Sequence, residues 1–285
     1  MNVSVNHMLK SILPDFVTSS VKSIKKNRDL KKLNSLDKMD CITDNLMSED
    51  LVSVAEIFNS QEIDNLWKQS KAEMDVFKIP DGTGGVNPGD RRAVYYLISK
   101  FKPKSILEIG THIGASTIHI ASAIKANGLK TTLTTLDIRD VNSTSNRPWE
   151  DFGSKYSPAE MIEKLGCGAF VNFITDTSVG YFKKSHQKFD FIFLDGDHAG
   201  TTVYQEIPLA LKLLNSNGVI LLHDYCPNGQ RLWSSETPIF GPYAAVERLK
   251  DEGADLVVIP LGDLPWPTKL NSNVTSLALL MKKKK

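Results

Sequence analysis

Two stretches of the chain carry the residues best suited to chemistry. One reads Phe189-Asp-Phe-Ile-Phe-Leu-Asp-Gly-Asp-His198, the other Gly218-Val-Ile-Leu-Leu-His-Asp-Tyr225. Each is an apolar run that ends in acids and a histidine, the pattern of a buried strand delivering polar groups at its carboxyl end. Between Asp195 and Asp224 there is room for one helix and one strand, so both carboxylates return to one rim and can share a divalent cation. His198 stands just past the same strand, where an imidazole can take a proton from a hydroxyl. Glu108, Asp137 and Asp176 also close apolar runs. A single acid there is an ordinary helix cap. Five in register are different, because like charges roughly 6 Å apart at an effective dielectric near 20 repel by about 3 kcal/mol. Such a rim asks for cationic groups and hydroxyls.

The elements that must position these acids are short and regularly spaced. Ser105 to Ile109, Thr132 to Leu136, Phe170 to Ile174, Phe189 to Leu194, Val219 to Leu222, Leu256 to Ile259 and Val274 to Met281 read as seven strands. Ser116 to Ala126, Ser157 to Leu165, Thr202 to Leu214 and Tyr243 to Asp251 read as helices, with Ser157 as a cap and Pro158 at the first helical position. The alternation predicts an α/β fold, a doubly wound, Rossmann-like parallel sheet with helices on both faces. Its ligand crevice lies outside the carboxyl ends of the strands. Ahead of it, residues 1–79 read as a helical N-terminal extension, with a helix opened by Asn59 and Glu62, and residues 80–285 as the ligand-binding domain. The glycine-rich stretch Pro80 to Gly89 reads as a lid, with Thr83, Gly84, Gly85, Asn87 and Arg91 able to close over a ligand.

Composition removes several alternatives. Lys and Arg number 34 against 33 acids, so no general basic field exists and no nucleic-acid partner is expected. Three separated cysteines, Cys41, Cys167 and Cys226, fit neither a disulfide framework nor a zinc knuckle. No membrane-span pattern and no leader pattern is visible, and the expectation is a cytoplasmic protein. Residues 8–33 are basic and amphipathic, which suits packing on the protein's own body, a subunit neighbour in a homo-oligomer, or peripheral contact with the inner membrane surface.

The charge of the rim also separates two cofactor classes. A dinucleotide brings a pyrophosphate and wants Gly-x-Gly-x-x-Gly, whereas this chain has Gly110-Thr-His-Ile-Gly114, with His112 at the second glycine. S-adenosylmethionine brings a sulfonium, an ammonium and a ribose, all acceptable to carboxylates. Ser105-Ile-Leu-Glu-Ile-Gly-Thr-His-Ile-Gly-Ala-Ser116 resembles the first motif of class I S-adenosylmethionine-dependent methyltransferases, whose seventh strand is antiparallel. That resemblance implies that Glu108, Gly110, Thr111, Gly114 and Ser116 surround the methionine part, that Asp137 binds the ribose, that Asp176 and Thr177 lie by the adenine, and that Asp195 also touches the cofactor.

The Asp-x-x-His and His-Asp-Tyr arrangement resembles the metal-dependent, macrocin-type sugar O-methyltransferases. It implies Asp195 and Asp224 as ligands of magnesium or manganese, His198 as base, and a sugar, polysaccharide or natural-product hydroxyl as acceptor. The pattern departs at His223, where that group usually has Glu: His223 joins the ligands and shifts the preferred metal, stands back, or marks a lost metal. Trp233 to Tyr243 and Leu264-Pro-Trp-Pro267 are candidate acceptor loops, their tryptophans suited to stacking on a sugar. A small-phenol O-methyltransferase and a non-catalytic cofactor-binding scaffold are the alternatives.

Overall fold

In the computed structural model, residues 26–83, 85–234 and 236–284 are described. The seven predicted strands are present as β1 (Ser105–Ile109), β2 (Thr132–Asp137), β3 (Val171–Thr175), β4 (Phe189–Leu194), β5 (Leu214–Leu222), β6 (Leu256–Pro260) and β7 (Ala278–Lys282). They form one sheet in the order β3-β2-β1-β4-β5-β7-β6. Strands β1 to β5 pair in parallel, and β7 runs antiparallel between β5 and β6. The order reverses between β1 and β4, which opens the crevice at their carboxyl ends. The last strand begins at Ala278 rather than Val274, because Thr268 Oγ1 donates to the carbonyls of Ser272 and Val274 and ties that segment into a turn.

The helices are α1 (described part 26–34), α2 (Val54–Phe58), α3 (Gln61–Met74), α4 (Pro88–Phe101), α5 (Ala115–Ala126), α6 (Pro158–Lys164), α7 (Ser178–Lys184), α8 (Gly200–Leu213) and α9 (Gly241–Asp251). Ser157 and Glu160 form a reciprocal capping box on α6. Helix α3 starts one residue later than Asn59 implies, since Ser60 Oγ accepts from the Ile63 N–H. Helix α7 was not predicted; Thr177 Oγ1 caps it by accepting from the Gly180 N–H.

Alternate residues of each central strand feed opposite faces. Ile106, Phe191, Phe193, Val219 and Leu221 pack under α2 to α5, whereas Leu107, Ile192, Ile220 and Leu222 pack under α8 and α9. Each such side chain contributes roughly 1.5–3 kcal/mol on burial. Ile57, Phe58, Trp67 and Met74 of the N-terminal region belong to the first of these clusters, so residues 54–77 share the core of the sheet domain. The basic segment 8–33 falls partly outside the described residues, through residue 25. Its remainder packs on the sheet domain: Leu33 is buried, Asp29 Oδ2 accepts from the Gly200 N–H, and Lys26 lies 3.7 Å over the Phe240 ring. Among the described residues no helix is long and apolar enough to cross a membrane.

Candidate active site

The carboxyl ends of β1, β2 and β4 border a cavity of about 720 Å³, lined by Gly110, Asp137, Asp176, Thr177, Asp195 and His198 among others. Its floor requires glycine at 110. The backbone there has φ +102°, and a Cβ would stand 2.2 Å from the Asp195 carbonyl oxygen. The Asp195 N–H donates to the Ile109 carbonyl, which fixes the acid beside β1.

Asp137 is nearly buried, and each of its oxygens accepts one backbone N–H, from His112 at 2.8 Å and Arg139 at 3.0 Å. Asp137 lines the cavity, and beside it Ile138 is 69% exposed and offers an apolar surface. Asp176 is more open. Lys184 and the Thr177 N–H hold its carboxyl below the usual range, and Lys184 Nζ lies 3.1 Å from Oδ2.

Four residues expected around the cofactor stand behind the cavity wall. Glu108 is fully buried, its Oε2 accepting from Thr117 at 2.6 Å and Thr135 at 2.7 Å, and burial pushes its carboxyl up to about 7. Thr111 shares a 2.6 Å hydrogen bond with Thr135; Gly114, at φ +77°, precedes α5; and Ser116 is buried in the first turn of that helix. They shape the turn that presents the lining residues. His112, at φ +50°, lines the cavity itself, opposite Gly85 and 4.3 Å between ring centroids from Phe152. Burial and Arg139 lower its basicity. Its place between two glycines of the motif was the available signal for it. Gly84 of the predicted lid lies outside the described residues. Arg91 is buried, its Nε donating to the Val86 carbonyl at 2.6 Å, so it holds that loop from behind.

The β4 and β5 ends bring the predicted chemistry together. His198 Nε2 lies 3.2 Å from Asp224 Oδ2, and His223 Nδ1 lies 2.7 Å from Asp195 Oδ1 and 3.6 Å from Asp224 Oδ2. Asp224 takes a left-handed backbone, φ +55°, uncommon for a residue with a side chain and a mark of local strain. Burial alone would raise its carboxyl, but His223 first and His198 after it hold it well below the usual range. Burial works against charge on His223, yet Asp224 and Asp195 outweigh it and raise that ring well above the imidazole range. The turn carrying His198 is clamped: Thr202 Oγ1 donates to Asp197 Oδ2 at 2.6 Å, and a Cβ on Gly241 would stand 2.0 Å from the His198 carbonyl oxygen.

A divalent cation fits this corner. Asp195, His198 and Asp224 offer ligand atoms that lie within 4.8 Å of one another, and His223 Nδ1 is buried beside them without an aligned hydrogen-bond partner. The two tryptophans expected to stack on an acceptor are enclosed instead. Trp266 donates to the Gly89 carbonyl and packs on Phe58 and Tyr96, and Trp233 is buried under the Lys269 ammonium.

Residues 107–225 match the methyltransferase domain family. A rhamnosyl O-methyltransferase of Mycobacterium tuberculosis is 22% identical over 156 residues, which is 55% of this chain. The aligned part spans 59% of that relative's length. Among solved structures, an O-methyltransferase of Bacillus cereus in complex with SAH superposes with a TM-score of 0.50 at 20% identity, over 82% of this chain and 96% of that one. An SAH-bound methyltransferase of Podospora anserina gives 0.51 at 19% identity, over 87% and 100%.

Proposed function

We propose that this class I S-adenosylmethionine-dependent methyltransferase places a methyl group on an aliphatic hydroxyl, that of a deoxyhexose or related sugar, with help from a divalent metal. The observation that carries the reading is the convergence of Asp137, Asp195 and His198 on one cavity, with Asp224 Oδ2 3.2 Å from His198 Nε2. The rhamnosyl O-methyltransferase relative supports the sugar class of acceptor.

The bound cofactor supplies an electrophilic methyl group on a sulfonium. Asp137, preset by two backbone N–H groups, accepts the ribose hydroxyls; Asp176 and Thr177 border the adenine end; Ile138 covers the base. Asp195 and Asp224 are the residues to hold a metal, which would lower the proton affinity of the acceptor oxygen. His198 takes the hydroxyl proton as the oxygen–methyl bond forms and the sulfur–methyl bond breaks, and Asp224 stabilises the resulting imidazolium. Holding both reactants in line removes an entropic barrier of up to roughly 7–11 kcal/mol.

Labelled methyl transfer to a panel of rhamnosides, other deoxyhexosides and catechols tests the reading. We expect label in the sugars. Transfer to catechols alone would replace the acceptor class, and cofactor binding without transfer to any acceptor would favour a scaffold.

A further inference from the structure

A second cavity, of about 250 Å³, is bounded by α3, α4, α5 and residues 78–81, and it shares no lining residue with the cavity at the strand ends. It is smaller than drug-sized sites of roughly 300–1,000 Å³, so a compact molecule suits it. Two buried polar side chains line it. The first is Arg91, whose side chain is 6% exposed; its Nε is satisfied by the Val86 carbonyl, but its Nη atoms make no hydrogen bond among the described residues. The counter-charge within ion-pair reach is Asp81 Oδ1, 3.4 Å from Nη1, on a side chain that is 65% exposed. Burial works against the guanidinium charge, and Asp81 restores only part of it. A buried cation so thinly served is completed by a carboxylate, whose two oxygens match the fork of N–H donors.

The second is His119. Its Nδ1 lies 2.6 Å from the Ala115 carbonyl, which can only accept, so Nδ1 carries the proton; burial lowers the ring to about 3 and keeps it neutral. Nε2 is then a lone pair, and it has no hydrogen-bond partner among the described residues. It calls for an O–H or N–H donor. Between these groups the walls are apolar: Trp67, stacked on the His119 ring at 5.6 Å between centroids, with Met74 and Ile118. Two lysines also line the cavity. Lys71 is ion-paired with Asp75, whereas Lys78 has no ion pair among the described residues and leaves a surplus of positive charge.

We propose that this cavity is an accessory binding site for a small organic carboxylate that also carries a hydroxyl or amine donor: the carboxylate pairs with Arg91, the donor serves His119 Nε2, and the apolar body lies among Trp67, Met74 and Ile118. The site stands apart from the methyl-transfer reading and does not depend on it.

The experiment titrates 4-hydroxybenzoate, and separately its uncharged counterpart 4-hydroxybenzamide, into the full chain by calorimetry. S-adenosylhomocysteine at saturation and a chelator are present throughout, so that neither the cofactor cavity nor a bound metal takes the carboxylate. We expect the carboxylate to bind at least about tenfold tighter than the amide, as charge-assisted hydrogen bonds to a buried guanidinium imply. It should quench tryptophan fluorescence in the wild type and not in Trp67→Phe. Arg91→Gln should weaken carboxylate binding at least about tenfold. Should that variant fail to fold, the exposed Lys78→Glu is a second probe: it should weaken the carboxylate about two- to fivefold, less so at high salt, and leave the amide unchanged. Equal affinity for acid and amide, carboxylate binding that survives both Arg91→Gln and Lys78→Glu, or no binding of 4-hydroxybenzoate at millimolar concentration would each overturn the proposal.

Discussion

The two flanks of the strand-end rim use the same residue type for opposite tasks. On the β2 flank Asp137 accepts two backbone N–H groups and lines the cavity, which suits the proposed role of receiving hydroxyls. On the β4 and β5 flank Asp195 is paired with His223, and Asp224 lies against both His198 and His223, so these acids sit among imidazoles instead. Position at a strand end places a carboxylate; its partners decide what it does. Each flank also has a buried glutamate with an elevated proton affinity. Glu108 is served by hydroxyls on three sides, whereas Glu206 in α8 has Ser178 and feels Asp197.

The comparison breaks most sharply at His198. Replacing it with Ala should lower turnover by at least about 100-fold while cofactor affinity stays near wild type. Equal losses in both quantities would mean that the flanks are not separable. Asp137→Ala should do the reverse: cofactor binding measured by calorimetry weakens roughly tenfold or more, as expected for lost hydrogen bonds to a charged acceptor, and turnover at saturating cofactor is largely kept. Wild-type affinity in that variant would remove the ribose assignment.

A smaller effect concerns pH. Burial raises Glu108 and Glu206 to about 7, above their value in the unfolded chain, so the folded state holds the extra protons between those values. The stability these groups contribute is therefore present in full below about pH 4.5 and lost as pH rises through about 7. Glu206→Gln should flatten that slope, gaining about 1–3 kcal/mol relative to wild type at pH 8.5 and little at pH 5, a shift of a few degrees in melting temperature. An equal gain at both pH values would assign the effect to packing.

Much of this was legible from residue order. Apolar runs ending in acids located the first five strands and β-rich runs the last two, and Ser157-Pro158 marked α6 because a hydroxyl cap and a proline at the first helical position leave little else possible. The short helix α7 was missed, since seven residues with a glycine inside give no periodicity. The cap of α3 slipped by one because Asn59 and Ser60 are both competent and only geometry chooses between them. His198, Asp195 and Asp224 were brought together as expected, while Asp90, whose Oδ2 lies 3.2 Å from His223 Nε2, was invisible because an acid in the first turn of a helix reads as a dipole partner. Trp233 and Trp266 misled for a related reason: an aromatic in a proline-rich loop looks the same whether it roofs a core or stacks on a ligand.

The tight approach at Gly110 sets where this protein can be redesigned. Even the methyl of alanine would strike the Asp195 carbonyl and wedge β1 away from β4, spoiling both flanks together. Room for bulkier acceptors or altered cofactors has to be sought higher on the walls, at Ile138 and Arg139, whose side chains already end in solvent.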